Sequence, residues 1–358
     1  MRKLVFNVHL SIALIAGAFM VILGVTGSIM EFEPELDQLF RPQLFFVTPG
    51  QRVLPLAELG DDVSRKFDGE PVVAYLPSLL PNHPAQVVLP RGIVSVNQYT
   101  GEVLGVRVRG QTFLGYVRAI HVRLGSGDFG RSVLSWTAVA LLLSLASGVY
   151  LWWPVKRVRI GGQWGSRGFW FDVHNAIGIF ILLPLTVLAA TGTVLGFEDQ
   201  LAPLLYRMTR SSPAQSLRAP SCKPGQGATP ISPDEAVAKA RIQMPGGVPY
   251  RVQMPRYGGT YQVALLYPQD RITGDRNVVG LDTYGNVVSL VRSSDLSRGD
   301  RILAMNEAIH TGAFLGMPSR LAVWMASTMI SLQPLSGLLM WLYRSKLSMG
   351  RSRKEGSS

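Results

Sequence analysis

Cysteine is almost missing from this chain: Cys222 stands alone among 358 residues. A single thiol excludes an intramolecular disulfide framework, and with no C-x-x-C-H run nothing can be attached through paired thioethers. Charge is sparse as well, at 16% Asp, Glu, Lys and Arg against 47% apolar residues. That balance points to a membrane protein with sizeable soluble parts. A net charge of +12 raises nucleic acid as a partner, but the basic residues cluster beside apolar runs, where they orient a membrane protein. No nucleic-acid partner is expected. Histidine is scarce too, with five in all, so any that recur in matched positions stand out.

Long apolar runs are what the chain has instead. Residues 10–30, 132–153, 176–197 and 321–343 each approach the roughly 20 residues that a helix needs to cross a bilayer. Four spans are expected. Arg2 and Lys3 precede the first, Lys156, Arg157, Arg159 and Arg167 lie between the second and third, and Arg344, Lys346, Arg351, Arg353 and Lys354 follow the fourth. The excess of positive charge puts both ends and the short loop on the cytoplasmic side, and the two long segments on the far side. Trp152, Trp153, Trp164, Trp170 and Trp341 suit the cytoplasmic interface. The first run is too long for a signal-peptide core and no A-x-A site follows it, so it is expected to stay as a span.

The chain reads as a tandem duplication. "NVHLSIALIAGAFMVILGVTGSIMEFEPEL" aligns without a gap to "DVHNAIGIFILLPLTVLAATGTVLGFEDQL", setting His9 on His174, Thr26-Gly27 on Thr191-Gly192 and Phe32-Glu33 on Phe197-Glu198. "AIHVRLGSGDFGR" lies over "AIHTGAFLGMPSR", setting His121 on His310 and Arg131 on Arg320, with Ser147-Gly148 on Ser336-Gly337 further along. Both halves run the same way through the membrane, which implies a pseudo-twofold axis along its normal. Each long segment shares a pattern of one amphipathic helix, "LPLAELGDDVSRKF" or "ISPDEAVAKARIQM", followed by short alternating runs. Ser232 and Asp234 are candidate N-caps, and "YTGEV" and "TYGNVV" are turns between strands, with Gly supplying a positive φ.

The expected fold is an α-helical membrane protein with four transmembrane helices in a pseudo-twofold repeat and two small α+β domains. The first half holds a span at 1–31, an outer domain at 32–112, an interfacial helix and loop at 113–131 and a span at 132–153. A cytoplasmic loop at 154–168 leads to a span at 169–197, an outer domain at 198–300, an interfacial segment at 301–320, a span at 321–343 and a tail at 344–358.

The duplicated histidines carry the chemistry. His9 and His174 open spans one and three; His121 and His310 sit on interfacial helices before spans two and four. Symmetry brings each pair face to face, giving one two-histidine site near each membrane surface. A lone histidine at an interface is ordinarily a packing residue, but four in register are not, since ionisable side chains are rare in spans. His83, in "PNHP" without a counterpart, keeps the packing role. Zinc wants three or four protein ligands, and beside His9 and His174 there is only Asp172, whose counterpart is Asn7. Two neutral imidazoles from opposite sides suit a haem iron, which takes its other four ligands from the porphyrin and then has no open position.

Gly27, Gly148, Gly192 and Gly337 each follow a small hydroxyl residue, at the level of a histidine pair. They either admit a flat macrocycle or serve helix–helix contact. Arg2 and Arg167 on one side, and Arg131 and Arg320 with Arg118 and Arg123 nearby on the other, are candidate propionate partners or snorkelling interface residues. Glu307, three residues before His310, is a candidate acceptor for its second ring N–H, though its counterpart is Arg118. From His9 to Gly27 is 18 residues, roughly 27 Å of helix, so two macrocycles reaching inward leave a gap short enough for tunnelling.

"NVHLSIALIAGAFMVILGVTGSI", "AIHVRLGSGDFGR", "DVHNAIGIF" with "ATGTVLGFE", and "AIHTGAFLG" resemble the PepSY-associated transmembrane family of bacterial inner-membrane proteins, over nearly the whole chain. The resemblance implies a di-haem ferric-siderophore reductase, with two b-type haems ligated by His9 and His174 and by His121 and His310. It implies PepSY-like outer domains, a ferric siderophore as substrate, and a quinol or a cytoplasmic reductant as electron donor beside the lipid bilayer. No acid, base or nucleophile is called for. A non-enzymatic PepSY regulator of periplasmic proteases is the alternative. A transporter ranks below both, because the spans read as lacking polar residues at mid-membrane and Pro184 and Pro334, which break spans three and four, do not match under the repeat.

Overall fold

The computed structural model describes residues 1–108, 110–154, 156, 158–213, 229–255, 259–268 and 277–355, with side chains as far as 343. Cys222 and Arg157 lie outside the described residues, as do the side chains of Arg344, Lys346, Arg351, Arg353 and Lys354.

The chain opens on α1 (Arg2–Met30), followed by α2 (Glu33–Phe40), α3 (Leu56–Lys66), β1 (Ala74–Leu76), β2 (Ala85–Leu89), β3 (Gly92–Val96) and β4 (Val103–Val108). Next come α4 (Phe113–Arg123), α5 (Gly127–Trp152), α6 (Arg167–Phe180), α7 (Leu182–Gly196) and α8 (Glu198–Thr209). The rest is α9 (Pro233–Gln243), β5 (Val248–Gln253), β6 (Tyr261–Leu266), β7 (Val278–Leu281), β8 (Val287–Val291), α10 (Arg298–His310) and α11 (Met317–Glu355). Two compact units result: a helical one of Met1–Phe32, Tyr116–Leu204 and Leu303–Ser358, and a sheet unit of Glu33–Gly115 and Leu205–Ile302.

In the helical unit α1, α5 and the stretch Met317–Tyr343 of α11 are long and apolar enough to cross a membrane, and α6 with α7 makes a fourth if the bent pair is one span. The break expected at Pro184 is present: α6 and α7 meet at 66°. Pro184 supplies no N–H for the carbonyl of Phe180, and its ring pushes that carbonyl aside. The same rule misleads at Pro334, where α11 runs on unbroken. Neighbouring α1 makes room there, since the Cβ that Gly17 lacks would sit 3.1 Å from Pro334 Cβ. Helix α1 packs on α5 and α11, α5 on α7, and α11 on α6. Ala16, Met20, Ile181, Leu185 and Ile330 form the buried centre.

Span four also corrects the expectation of apolar middles. Ser327 and Ser331 are buried midway along it and Gln333 is half-buried. Their hydroxyls suit close approach more than transport. A Cβ on Gly24 of α1 would lie 2.6 Å from the backbone oxygen of Ser327, so only glycine lets these two helices come so near.

The sheet unit differs from the expected pair of domains. β1–β4 and β5–β8 join into one antiparallel sheet in the order β4-β3-β2-β1-β5-β6-β7-β8. The seam is short, with Ala74 opposite Gln253 and Tyr75 opposite Val252. Alternation puts Val87, Val94, Val252, Val263 and Val279 on one face, where Leu59 and Val63 of α3 and Ala236 and Ala240 of α9 close a single core over both halves. The turns carry Gly101 and Gly285 at φ of +76° and +85°. Ser232 caps its own helix α9, accepting from Glu235 N while Glu235 returns to Ser232 N. Asp234 does not. Its two carboxylate oxygens accept from the amides of Leu56 and Ala57, 2.8 and 2.9 Å away, and so cap α3, which has no side-chain cap of its own.

Candidate functional site

Helix α1 carries His9 near its start and Thr26 near its end, seventeen residues apart, or roughly 25 Å along the axis. The bent pair repeats this arrangement, with His174 on α6 before the bend and Thr191 on α7 after it. Helices α4 and α10 bring His121 and His310, while α5 and α11 bring Ser147 and Ser336.

His9 and His174 meet across the bundle. Their ring centroids are 6.3 Å apart and their planes perpendicular, at 89°. Two imidazoles bound from opposite sides of one ion, each with its nitrogen about 2.0 Å away, have centroids about 6 Å apart. The observed spacing leaves room for an ion shared by the two rings, and it is also the spacing of an edge-to-face ring contact. His121 and His310 are also neighbours, close enough for His310 to act electrostatically on His121. Burial, with repulsion from His310 and Arg118, pulls His121 down to about 4, and burial lowers His310 as well. Both shifts favour the neutral ring, the form that binds metal.

Each ring sits against a hydroxyl. His9 Nδ1 is 2.9 Å from Ser147 Oγ, His174 Nδ1 is 2.9 Å from Ser336 Oγ, His121 Nδ1 is 2.8 Å from Thr26 Oγ1, and His310 Nδ1 is 3.0 Å from Thr191 Oγ1. The hydroxyl in each case points its own proton at a backbone carbonyl of its helix: Leu143, Gln333, Ile22 and Val187 respectively. Each ring also meets the carbonyl three residues before that hydroxyl, at Ser144, Gln333, Leu23 and Leu188. An Nδ1 that carries its proton finds acceptors in all four places, and Nε2 then keeps its lone pair.

The glycine after each hydroxyl faces the same ring. An added Cβ would lie 3.4 Å from His9 Cε1 at Gly148, 3.7 Å from His174 Cε1 at Gly337, 3.2 Å from His121 Cε1 at Gly27 and 3.1 Å from His310 Cε1 at Gly192. The hydroxyl–glycine dipeptides thus serve the imidazoles themselves, a refinement of both readings that the sequence allowed. Thr26, Ser147, Thr191 and Ser336 were missed as site residues, although the dipeptide itself was plain in the repeat. Gln333 adds one more hold on His174, donating from Nε2 to its carbonyl at 3.1 Å.

The arginines divide. Arg320 is paired with Glu31, Nε to Oε1 at 3.1 Å, over the ring of Phe32. Arg131 faces Asp199 at 3.4 Å, Arg123 faces Asp128 at 3.3 Å, and Arg118 lies near His121. Arg2 donates to the carbonyl of Leu151 at 3.2 Å, and Arg167 is exposed at the start of α6. Glu307 is corrected as the partner of His310: it is exposed, and the ring turns to Thr191. Asp172 is buried and accepts from Gly161 N, holding the loop before α6. His83 belongs to the sheet unit, edge-on to Phe46 with centroids 5.3 Å apart.

The family model described as "PepSY-associated TM region" matches residues 6–344. The chain belongs to that family. Within the matched stretch lie all four paired histidines and their hydroxyl partners. Among curated proteins none matches this family member.

Proposed function

We propose that this family member is a di-haem b-type electron-transfer protein of the bacterial inner membrane that reduces ferric siderophores on the periplasmic side. The reading takes the four spans as a tandem pseudo-twofold repeat with both termini cytoplasmic, and the fused sheet as two PepSY-like halves. The observation that carries it is the meeting of the His9 and His174 rings with centroids 6.3 Å apart, each with Nδ1 held 2.9 Å from a serine hydroxyl.

His9 with His174, and His121 with His310, would each hold one haem by Nε2, with Gly148, Gly337, Gly27 and Gly192 leaving room for the rings. Bound there, a haem would supply one-electron exchange. The chain's part is to fix the ring orientations, keep the rings neutral and surround them with apolar helices that exclude water. A quinol or a cytoplasmic reductant gives up an electron on the His9 side, and Fe(III) of the siderophore becomes Fe(II) on the His121 side. Hard oxygen donors hold Fe(III) far better than Fe(II), so reduction frees the iron for uptake.

Purified protein should show low-spin b-type bands in a reduced-minus-oxidised spectrum, with about two haems per chain. His9→Ala or His174→Ala should remove one haem and leave the other. The reduced protein should turn over a ferric hydroxamate in the presence of a ferrous chelator. A colourless protein, or a coloured one inert toward ferric siderophores, refutes the activity; the former returns the chain to the regulator reading.

A further inference from the structure

Four hydroxyls do the same thing in four places, and helix packing alone does not ask that of them. Thr26, Thr191, Ser147 and Ser336 each lie within hydrogen-bonding distance of both a carbonyl of their own helix, which can only accept, and a histidine Nδ1. We propose that these four are positioning residues which, together with the backbone carbonyl beside each ring, select Nε2 as the ligating atom and hold both irons at low potential. The proposal rests on the di-haem reading and deepens it.

The physical chain is short. An imidazole free to choose can protonate either nitrogen, and the wrong tautomer presents an N–H where a ligand is needed. A hydroxyl whose proton already points to its own helix accepts and does not donate, so the choice is made before any metal arrives. Once ligated, an imidazole whose Nδ1–H is hydrogen-bonded is a more basic donor. A more basic donor favours Fe(III) over Fe(II), which lowers the potential. A protein meant to reduce iron held by hard oxygen ligands needs a donor of that kind. The glycine beside each hydroxyl completes the seat by letting the ring's Cε1 edge close on the helix, 3.1 to 3.7 Å from the missing Cβ.

The test uses the full-length protein in detergent and two paired variants. Thr26→Val with Thr191→Val keeps shape and removes the hydroxyls beside His121 and His310; Ser147→Ala with Ser336→Ala does so for the other pair. In a spectroelectrochemical titration each double variant should raise one haem's potential and leave the other fixed. Loss of two neutral hydrogen bonds should shift the ferric–ferrous equilibrium about tenfold, which is about 59 mV for one electron. Thr26→Ser with Thr191→Ser, which restores hydroxyls, should titrate as wild type.

Two haems whose potentials ignore all these changes overturn the proposal. If the valine pair loses a haem and the serine pair keeps it at the wild-type potential, the hydroxyl is needed and the proposal stands. If the serine pair loses it too, shape and not hydrogen bonding was at work, and the proposal falls. A wild-type protein with no haem is a different result, defeating the function itself.

Discussion

Glycine-to-alanine changes at the four seats make a graded test of the geometry. At Gly192 the new methyl would lie 3.1 Å from His310 Cε1 and 3.7 Å from its Nδ1. Carbon atoms rest about 3.5–4.0 Å apart, so the ring must withdraw by about 0.4 Å. Cε1 is bonded to Nε2, so the ligating atom withdraws with it, beyond the ~0.2 Å latitude of a metal–ligand bond. Overpacking of this size costs about 1–2 kcal/mol, which weakens haem binding at this pair about tenfold. The helix itself gains, since alanine is better than glycine in a helix interior by about 1 kcal/mol. Gly192→Ala should therefore bind haem less tightly without melting earlier. Gly27→Ala, at 3.2 Å, should follow it closely, Gly148→Ala at 3.4 Å should lose little, and Gly337→Ala at 3.7 Å should bind as wild type. Haem titrated into each haem-free variant and followed by absorbance gives the order. If Gly337→Ala suffers as much as Gly192→Ala, the rings do not lie where they are described.

Gly24→Val forces α1 off α11, because its Cβ falls 2.6 Å from the backbone oxygen of Ser327; thermal unfolding in detergent should show a loss of about 2–3 kcal/mol. Asp234→Ala frees the amides of Leu56 and Ala57 at a cost of about 1–2 kcal/mol. Hydrogen exchange should quicken at those two amides while the amide of Glu235, held by Ser232, stays as it was. Arg320→Ala takes the guanidinium from Glu31, whose side chain is only 4% exposed. Breaking such a pair from one side costs about 3 kcal/mol, and adding Glu31→Gln should recover much of the lost melting temperature.

Much of this was legible in the sequence, because local rules govern it. Alternating runs such as "AQVVL" form strands in place, and amphipathic runs form α3 and α9. The repeat named the four histidines, and the structure brings His9 and His174 together. What stayed hidden depends on direction or on distant partners. The dipeptide Thr26-Gly27 reads as small and polar, and only folding shows that it faces His121. Glu307 is the carboxylate nearest His310 along the chain, yet Thr191, on another helix, is what the ring reaches. Proline marks the bend between α6 and α7 but leaves α11 unbroken, where Pro334 packs against Gly17. Asp234 looked like a cap for its own helix and caps one 178 residues away.

The seam between β1 and β5 has a consequence for the chain's ancestry. Two like strands meeting antiparallel at a sheet's centre, Ala74 against Gln253 and Tyr75 against Val252, are what an isologous dimer makes when two copies pair edge to edge. Severed at the loop before α6, either fragment would bare a raw strand edge and half a core, a surface that recruits another copy of itself. A forebear with one copy of the motif would be a homodimer, two chains lending one imidazole apiece to each histidine pair. Fusion then freed the two copies to diverge, as Gln333 and Pro184 already have.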